Sequence, residues 1–134
     1  MKYMLLIYQD ENGLSEAERE QCYGDSAAYA RQLHESGRYL AAAPLHPTST
    51  ATSVRIRDGR RLVTDGPFAE TREQLGGFFL IEAENLDLAI EIAGEIAGEI
   101  PAGRWGTVEI RPVLEITGLP AGSGVDVTTA RSTH

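Results

Sequence analysis

One cysteine, one tryptophan and three histidines are all that 134 residues contain of these types, and each scarcity removes a class of chemistry. Cys22 has no partner for an internal disulfide, which points to the reducing cytoplasm. Neither Cys22 nor His34, His46 and His134 fall at metal-ligand spacing, and no glycine-rich phosphate loop is present, so neither a metal nor a cofactor is expected. Long apolar runs are missing too, none approaching the ~18 residues of a membrane span. The opening "MKYMLLIYQDENG" runs straight into Gln9, Asp10 and Glu11 without the small-residue cleavage site of a secretory signal. It reads as a first β-strand, and no membrane partner is expected. Basic charge is the minority sign, 12 Lys and Arg against 20 Asp and Glu, for a net charge of −8. That field repels phosphate backbones, so direct nucleic-acid binding is not expected. A local exception is "RIRDGRRL", where Arg55, Arg57, Arg60 and Arg61 either hold an anionic ligand or form a solvated hairpin tip.

What is present fits one domain large enough to bury a core, with 42% hydrophobic and 24% charged residues. Residues 2–8, "KYMLLIY", are apolar without alternation, the pattern of a central strand buried on both faces. Ser15 with Glu18 makes a capping box, and a helix is predicted from about 16 to 36, with Gly24 weakening its middle and Gly37 ending it. Tyr29, Ala30 and Leu33 share its buried face. Residues 38–47 carry Pro44 and Pro47 and predict an irregular edge strand. Asp58-Gly59 between two β-prone runs predicts a hairpin. Phe78, Phe79, Leu80 and Ile81 mark a second central strand.

In 85–100 the tetrapeptide AGEI occurs twice in tandem, and its near-helical period puts Ile92, Ile96 and Ile100 on one stripe and Asp87, Glu91, Glu95 and Glu99 on a solvated acidic one. Asn85 or Asp87 caps this helix, and close packing on the sheet is the expected reason for Gly94 and Gly98. "TVEIRPVLEI" alternates through Val108, Ile110, Pro112, Leu114 and Ile116 as a last strand, which Pro112 places at an edge. The tail from Gly118 lacks periodicity and is expected to be flexible, leaving a domain at 1–117 and a tail at 118–134.

The resulting order is α+β: a ferredoxin-like βαββαβ sandwich with an inserted β-hairpin. Two helices cover one sheet face, while the central strands are apolar on both. A second copy is therefore expected to cover the other, giving a homodimer through sheet packing.

"VTDGPFAETREQLGGFFLIEA" resembles the signature of the YCII-related, or DGPF-domain, proteins, and "MKYMLLIY", the hairpin and "GTVEIRPV" extend the resemblance over about residues 1–115. It implies a dimeric α/β barrel and a protein whose biochemical role is uncharacterised. It also implies, for some members, association with extracytoplasmic-function sigma factors, so a sigma-factor partner enters the expectations. The wider group has a proposed site pairing a histidine of the first helix with an aspartate in a cleft by the dimer interface; here Ser26 stands near where that histidine would fall.

Two readings of "TDGPFAETREQLGG" follow. As a corner, the Asp65 carboxylate accepts backbone N–H groups, Gly66-Pro67 turns the chain, Thr71–Gln74 form a helical turn, Phe68 and Leu75 bury apolar surface, Glu70 pairs with an arginine, and Gly76-Gly77 permit close packing. As a site, Asp65 and Glu70 are the candidate catalytic carboxylates, one a general base and the other orienting substrate, with Arg72 and His46 as candidate ligand-binding residues. The two function classes are a cofactor-independent enzyme acting on a small molecule in the dimer cleft and a noncatalytic ligand-binding or regulatory module linked to transcription.

Overall fold

The computed structural model describes residues 1–12, 14–98 and 106–120. In chain order its elements are β1 (Lys2–Gln9), α1 (Glu16–Glu35), β2 (Tyr39–Pro44), a short 3-10 turn (Thr48–Thr50), β3 (Thr52–Arg57), β4 (Arg60–Asp65), β5 (Gln74–Glu82), α2 (Leu86–Gly98) and β6 (Gly106–Pro112). Four strands form an antiparallel sheet in the order β2-β5-β1-β6, while β3 and β4 pair only with each other. This is the ferredoxin-like α+β arrangement, with the hairpin inserted between its two βαβ halves. The two apolar strands, β1 and β5, occupy the centre because only there do both faces and both edges escape water.

Both helices pack on one face of the sheet, where Tyr3 and Leu5 of β1 and Phe79 and Ile81 of β5 meet Tyr29 and Leu33 of α1 and Ala89, Ile92 and Ile96 of α2. Leu5 and Ile81 are fully excluded from solvent, each contributing roughly 1.5–3 kcal/mol by burial. Tyr29 packs edge-on against Phe79, with centroids 6.1 Å apart, and donates its hydroxyl to Glu95 at 2.7 Å. The acidic stripe of α2 is thus not wholly solvated: Glu95 ties the helices together.

Local chemistry sets the helix ends. Ser15 Oγ accepts from the Glu18 N–H at 3.1 Å while the Glu18 carboxylate accepts from the Ser15 N–H at 3.0 Å, and α1 then runs unbroken through Gly24. It stops where Gly37 takes φ = 77°, with the Arg38 N–H on Leu33 O and the Gly37 N–H on His34 O, a Schellman closure. For α2 it is Asn85 that caps, its Oδ1 accepting from the Leu88 N–H at 2.9 Å. Gly94 and Gly98 have no atom within 4 Å of where a Cβ would stand, so sheet packing does not explain them. Ile100 and Glu99 lie outside the described residues, as does the tail from 121.

At the edges, β2 is irregular as expected: its register slips between Tyr39 and Ala41, leaving Leu40 bulged. Asp58 (φ = 52°) and Gly59 (φ = 74°) turn the hairpin. The predicted last strand is shorter than its alternation implied. It leaves the sheet at Pro112, Leu114 is 82% exposed, and the following segment instead crosses the end of β1, with the Val113 N–H on Lys2 O and the buried Lys2 Nζ 3.1 Å from Glu115. On the sheet face away from the helices, Met4, Leu6 and Phe78 are half-buried and Leu80 is buried.

Candidate functional site

The stripe of α1 that faces the sheet changes character along its length. Tyr29 and Leu33, four apart, fill the core, whereas Cys22, Ser26 and Ala30, also four apart, with Ala27 beside them, present only small side chains to the sheet edge. Opposite these small side chains lie Ala42 and Ala43 of β2 and Gly76 and Gly77 of β5. Small residues on both sides leave a cavity of about 340 Å³ between helix and sheet, within the size range of small-molecule sites.

Glycine at 77 is required by this geometry. A Cβ there would lie 2.9 Å from Ala43 O and 3.2 Å from Pro44 Cα, so only glycine lets β2 approach β5 this closely. Gly76 is the extra residue where the β1/β5 register slips, and a Cβ on it would meet the Gln9 amide at 3.3 Å. The aromatic ring of Phe79 contributes to the wall, and Tyr23 at the rim donates its hydroxyl to Leu45 O at 3.4 Å. Among the described lining residues the polar groups are the Gln9 amide, the Cys22 thiol, the Ser26 hydroxyl and the phenols of Tyr23 and Tyr39; none bears a formal charge at neutral pH.

Ser26, near where the resemblance would place the family's helical histidine, lines the cavity. The four candidates named from the sequence do not. Asp65 ends β4 and is exposed; Glu70 and Arg72 are exposed in the connection to β5; His46 is exposed between Pro44 and the 3-10 turn. Among the described residues neither the Asp65 nor the Glu70 carboxylate makes a hydrogen bond or ion pair. The corner is held by other groups: the Gly66 N–H donates to Ala51 O at 2.7 Å, Ser53 Oγ to Gly66 O at 2.7 Å and Arg55 to Phe68 O at 3.1 Å. Gly66 itself sits at φ = 100°, a conformation closed to most side chains.

Further along the motif no helical turn forms: Arg72 and Glu73 are bends and Gln74 already opens β5. Thr107 Oγ1 of β6 donates to Glu73 at 2.9 Å, and the Gln74 side chain donates to Thr71 O while accepting from the Glu11 N–H at 3.3 Å. Phe68 is 77% exposed and Leu75 37% exposed, so the apolar burial expected of them does not occur within one chain. Glu11 was not singled out from the sequence, yet its carboxylate accepts from both the N–H and the hydroxyl of Thr48 and fixes the entry to the hairpin. Gln9, Cys22 and Tyr23 were likewise not singled out as site residues. The available signal was the spacing of Cys22, Ser26 and Ala30, four apart on the buried stripe and all too small to fill it.

On the second sheet face, Tyr8 donates its phenol to Glu109 at 3.3 Å. Burial and the neighbouring carboxylate raise its pKa above the usual tyrosine value, while Arg111 acts weakly the other way.

A curated relative, an uncharacterized protein of Rhizobium meliloti (strain 1021), is 39% identical over 116 residues, which span 84% of this chain and 92% of the relative. The family model described as the YCII-related domain matches residues 1–117, a span that begins with β1 and closes just after β6, and the chain belongs to that family.

Proposed function

We propose that this YCII-related protein binds a small organic molecule in the cavity between α1 and the β2/β5 edge. The observation that carries the reading is the facing set of small residues, Ser26, Ala27 and Ala30 against Ala42, Ala43, Gly76 and Gly77, which holds open space in an otherwise filled core. The pocket opens to solvent, so its apolar lining faces water, and a ligand seated there removes that surface from water. The chemistry available is that of a thiol, hydroxyl, phenols and an amide, and if a reaction occurs there it proceeds without a cofactor.

A homodimer belongs to the same proposal. Two strands alone are marginally stable in water, yet the β3–β4 hairpin exposes Val54 (58%), Ile56 (69%) and Val63 (60%). A second copy covering this hairpin and the second sheet face removes that surface from water. In that dimer Asp65 and Glu70, which are not among the described lining residues of their own chain's cavity, would act at the cleft between subunits. The lone cysteine supports a cytoplasmic location.

Fragment screening by protein NMR tests the binding reading: shifts clustered at Ser26, Ala30 and Gly77 support it, and a library without such shifts ends it. For the dimer, light scattering at micromolar concentration with a Val54→Asp/Ile56→Asp variant is decisive. A monomeric wild type removes the dimer, and with it any catalytic role for Asp65 and Glu70.

A second reading draws on the same hairpin. Arg55, Arg57, Arg60 and Arg61 sit beside its exposed apolar residues, a combination suited to an acidic protein surface such as that of a transcription component. Sigma-factor capture that disappears when these arginines become alanine supports the regulatory module; capture that is absent or unchanged counts against it.

A further inference from the structure

We infer that the ligand of this cavity is a compact, uncharged, largely apolar ring compound bearing at least one hydrogen-bonding group; this rests on the binding reading above. The described lining offers donors and acceptors but no formal charge: the Gln9 amide from the sheet, the Ser26 hydroxyl and Cys22 thiol from α1, and tyrosine phenols at 23 and 39. A carboxylate, phosphate or ammonium entering here would leave water without meeting a counter-charge among the described lining residues, which is strongly unfavourable. The chain's net charge of −8 adds a field that disfavours anions further.

Shape narrows the class. At about 340 Å³ the cavity lies at the small end of ligand sites, fitting a ring-sized molecule and not a dinucleotide. Its walls combine the side-chain-free backbone of Gly76-Gly77 with Phe79, whose aromatic ring lies on the helix side of the sheet, surfaces suited to a planar ring. The ligand's polar group then has the Gln9 amide and Ser26 hydroxyl to meet, while Tyr23 is partly engaged by Leu45 O.

Cys22 provides a site-specific reporter, being the only cysteine in the chain and lining the cavity. Benzamide, benzoate and benzamidinium are nearly identical in shape and differ in charge. The experiment measures the rate of Cys22 alkylation by iodoacetamide, by intact mass, with each added to the full chain. Benzamide at about ten times its dissociation constant is expected to slow alkylation roughly tenfold by mass action. Benzoate and benzamidinium at the same concentration are expected to slow it less than about twofold, for want of a counter-charge.

The control is Ala27→Leu, at an exposed helical position, which narrows the mouth and should abolish benzamide protection while circular dichroism stays unchanged. Protection by benzoate or benzamidinium equal to that by benzamide, and sensitive to Ala27→Leu, overturns the neutral class but leaves the cavity as a binding site. If no probe protects, or protection survives in a folded Ala27→Leu variant, both this inference and the binding proposal fall.

Discussion

Replacing Gly77 by alanine puts the contact between β2 and β5 to a direct test. The added Cβ would stand 2.9 Å from Ala43 O and 3.2 Å from Pro44 Cα, whereas ordinary contact begins at 3.4 Å, so the strands must part by about 0.5 Å. Both opposing atoms are backbone and cannot rotate away. The adjoining Leu45 N–H to Gly76 O bond of 2.8 Å resists the movement as well. Overpacking of this kind costs about 1–3 kcal/mol. Against it stands a gain of about 0.5–1 kcal/mol, because alanine restricts the unfolded chain more than glycine does. The net expectation is a loss of roughly 1–2 kcal/mol, which for a domain of this size lowers Tm by about 3–10 °C.

The same substitution at Gly94 should have the opposite sign. That residue lies in the interior of α2 with open space around it, so alanine gains about 0.8–1 kcal/mol of helix propensity with no clash. Calorimetry of wild type and both variants at one protein concentration is the assay, since any association makes Tm depend on concentration. A Gly77→Ala protein that melts at or above the wild-type temperature would refute the close approach of β2 to β5 and the cavity wall built on it.

Three other perturbations separate local from tertiary effects. Ser15→Ala removes the reciprocal cap of α1 and should lower stability in urea by about 1 kcal/mol, with Ser15→Asn restoring most of it. Asp65→Ala should change stability by less than about 0.5 kcal/mol, as at other exposed positions without partners; a loss above 1 kcal/mol in the same titration would reveal a carboxylate contact, for instance across a dimer. Tyr8 holds its proton more tightly in the folded state than in the unfolded chain, so its contribution is intact below the ordinary tyrosine pKa of about 10 and is lost as pH rises through the raised value. Melting curves should therefore show Tyr8→Phe losing less Tm than wild type between about pH 9 and about pH 11, and equal losses would dismiss the Glu109 pairing as a cause.

Much of the scaffold is legible in the sequence alone, because the signals concerned are local. The Ser15–Glu18 box, Gly37 and the Asp58-Gly59 turn each act within a few residues, and the unbroken apolar runs of β1 and β5 report their central places directly. Where the reading went astray, a distant partner intervened or was missing. Gly94 and Gly98 have no sheet contact to justify them, and Glu95 is held by Tyr29 from the other helix. Leu114 and Ile116 continue an alternating pattern that the chain abandons after Pro112.

The "TDGPFAETREQLGG" motif shows the same division. Its composition was enough to mark a family and a corner, but not which groups hold that corner. Ser53 and Arg55 on β3, Thr107 on β6 and Glu11 after β1 come from three separate parts of the chain, and their bonds to the motif or to the hairpin entry depend on how the hairpin is mounted. The cavity depends on tertiary structure still more. Cys22, Ser26 and Ala30 in a helix, Ala42 and Ala43 in a strand, and Gly76-Gly77 at a bulge are unremarkable when read singly, since a small side chain has no local consequence. By itself the sequence determined the order of elements, the central strands and the family, through period, caps and turn chemistry. Only the pairing of β2 with β5 beneath α1 decided that the small residues face one another, because a void belongs to the space between elements and to none of them alone.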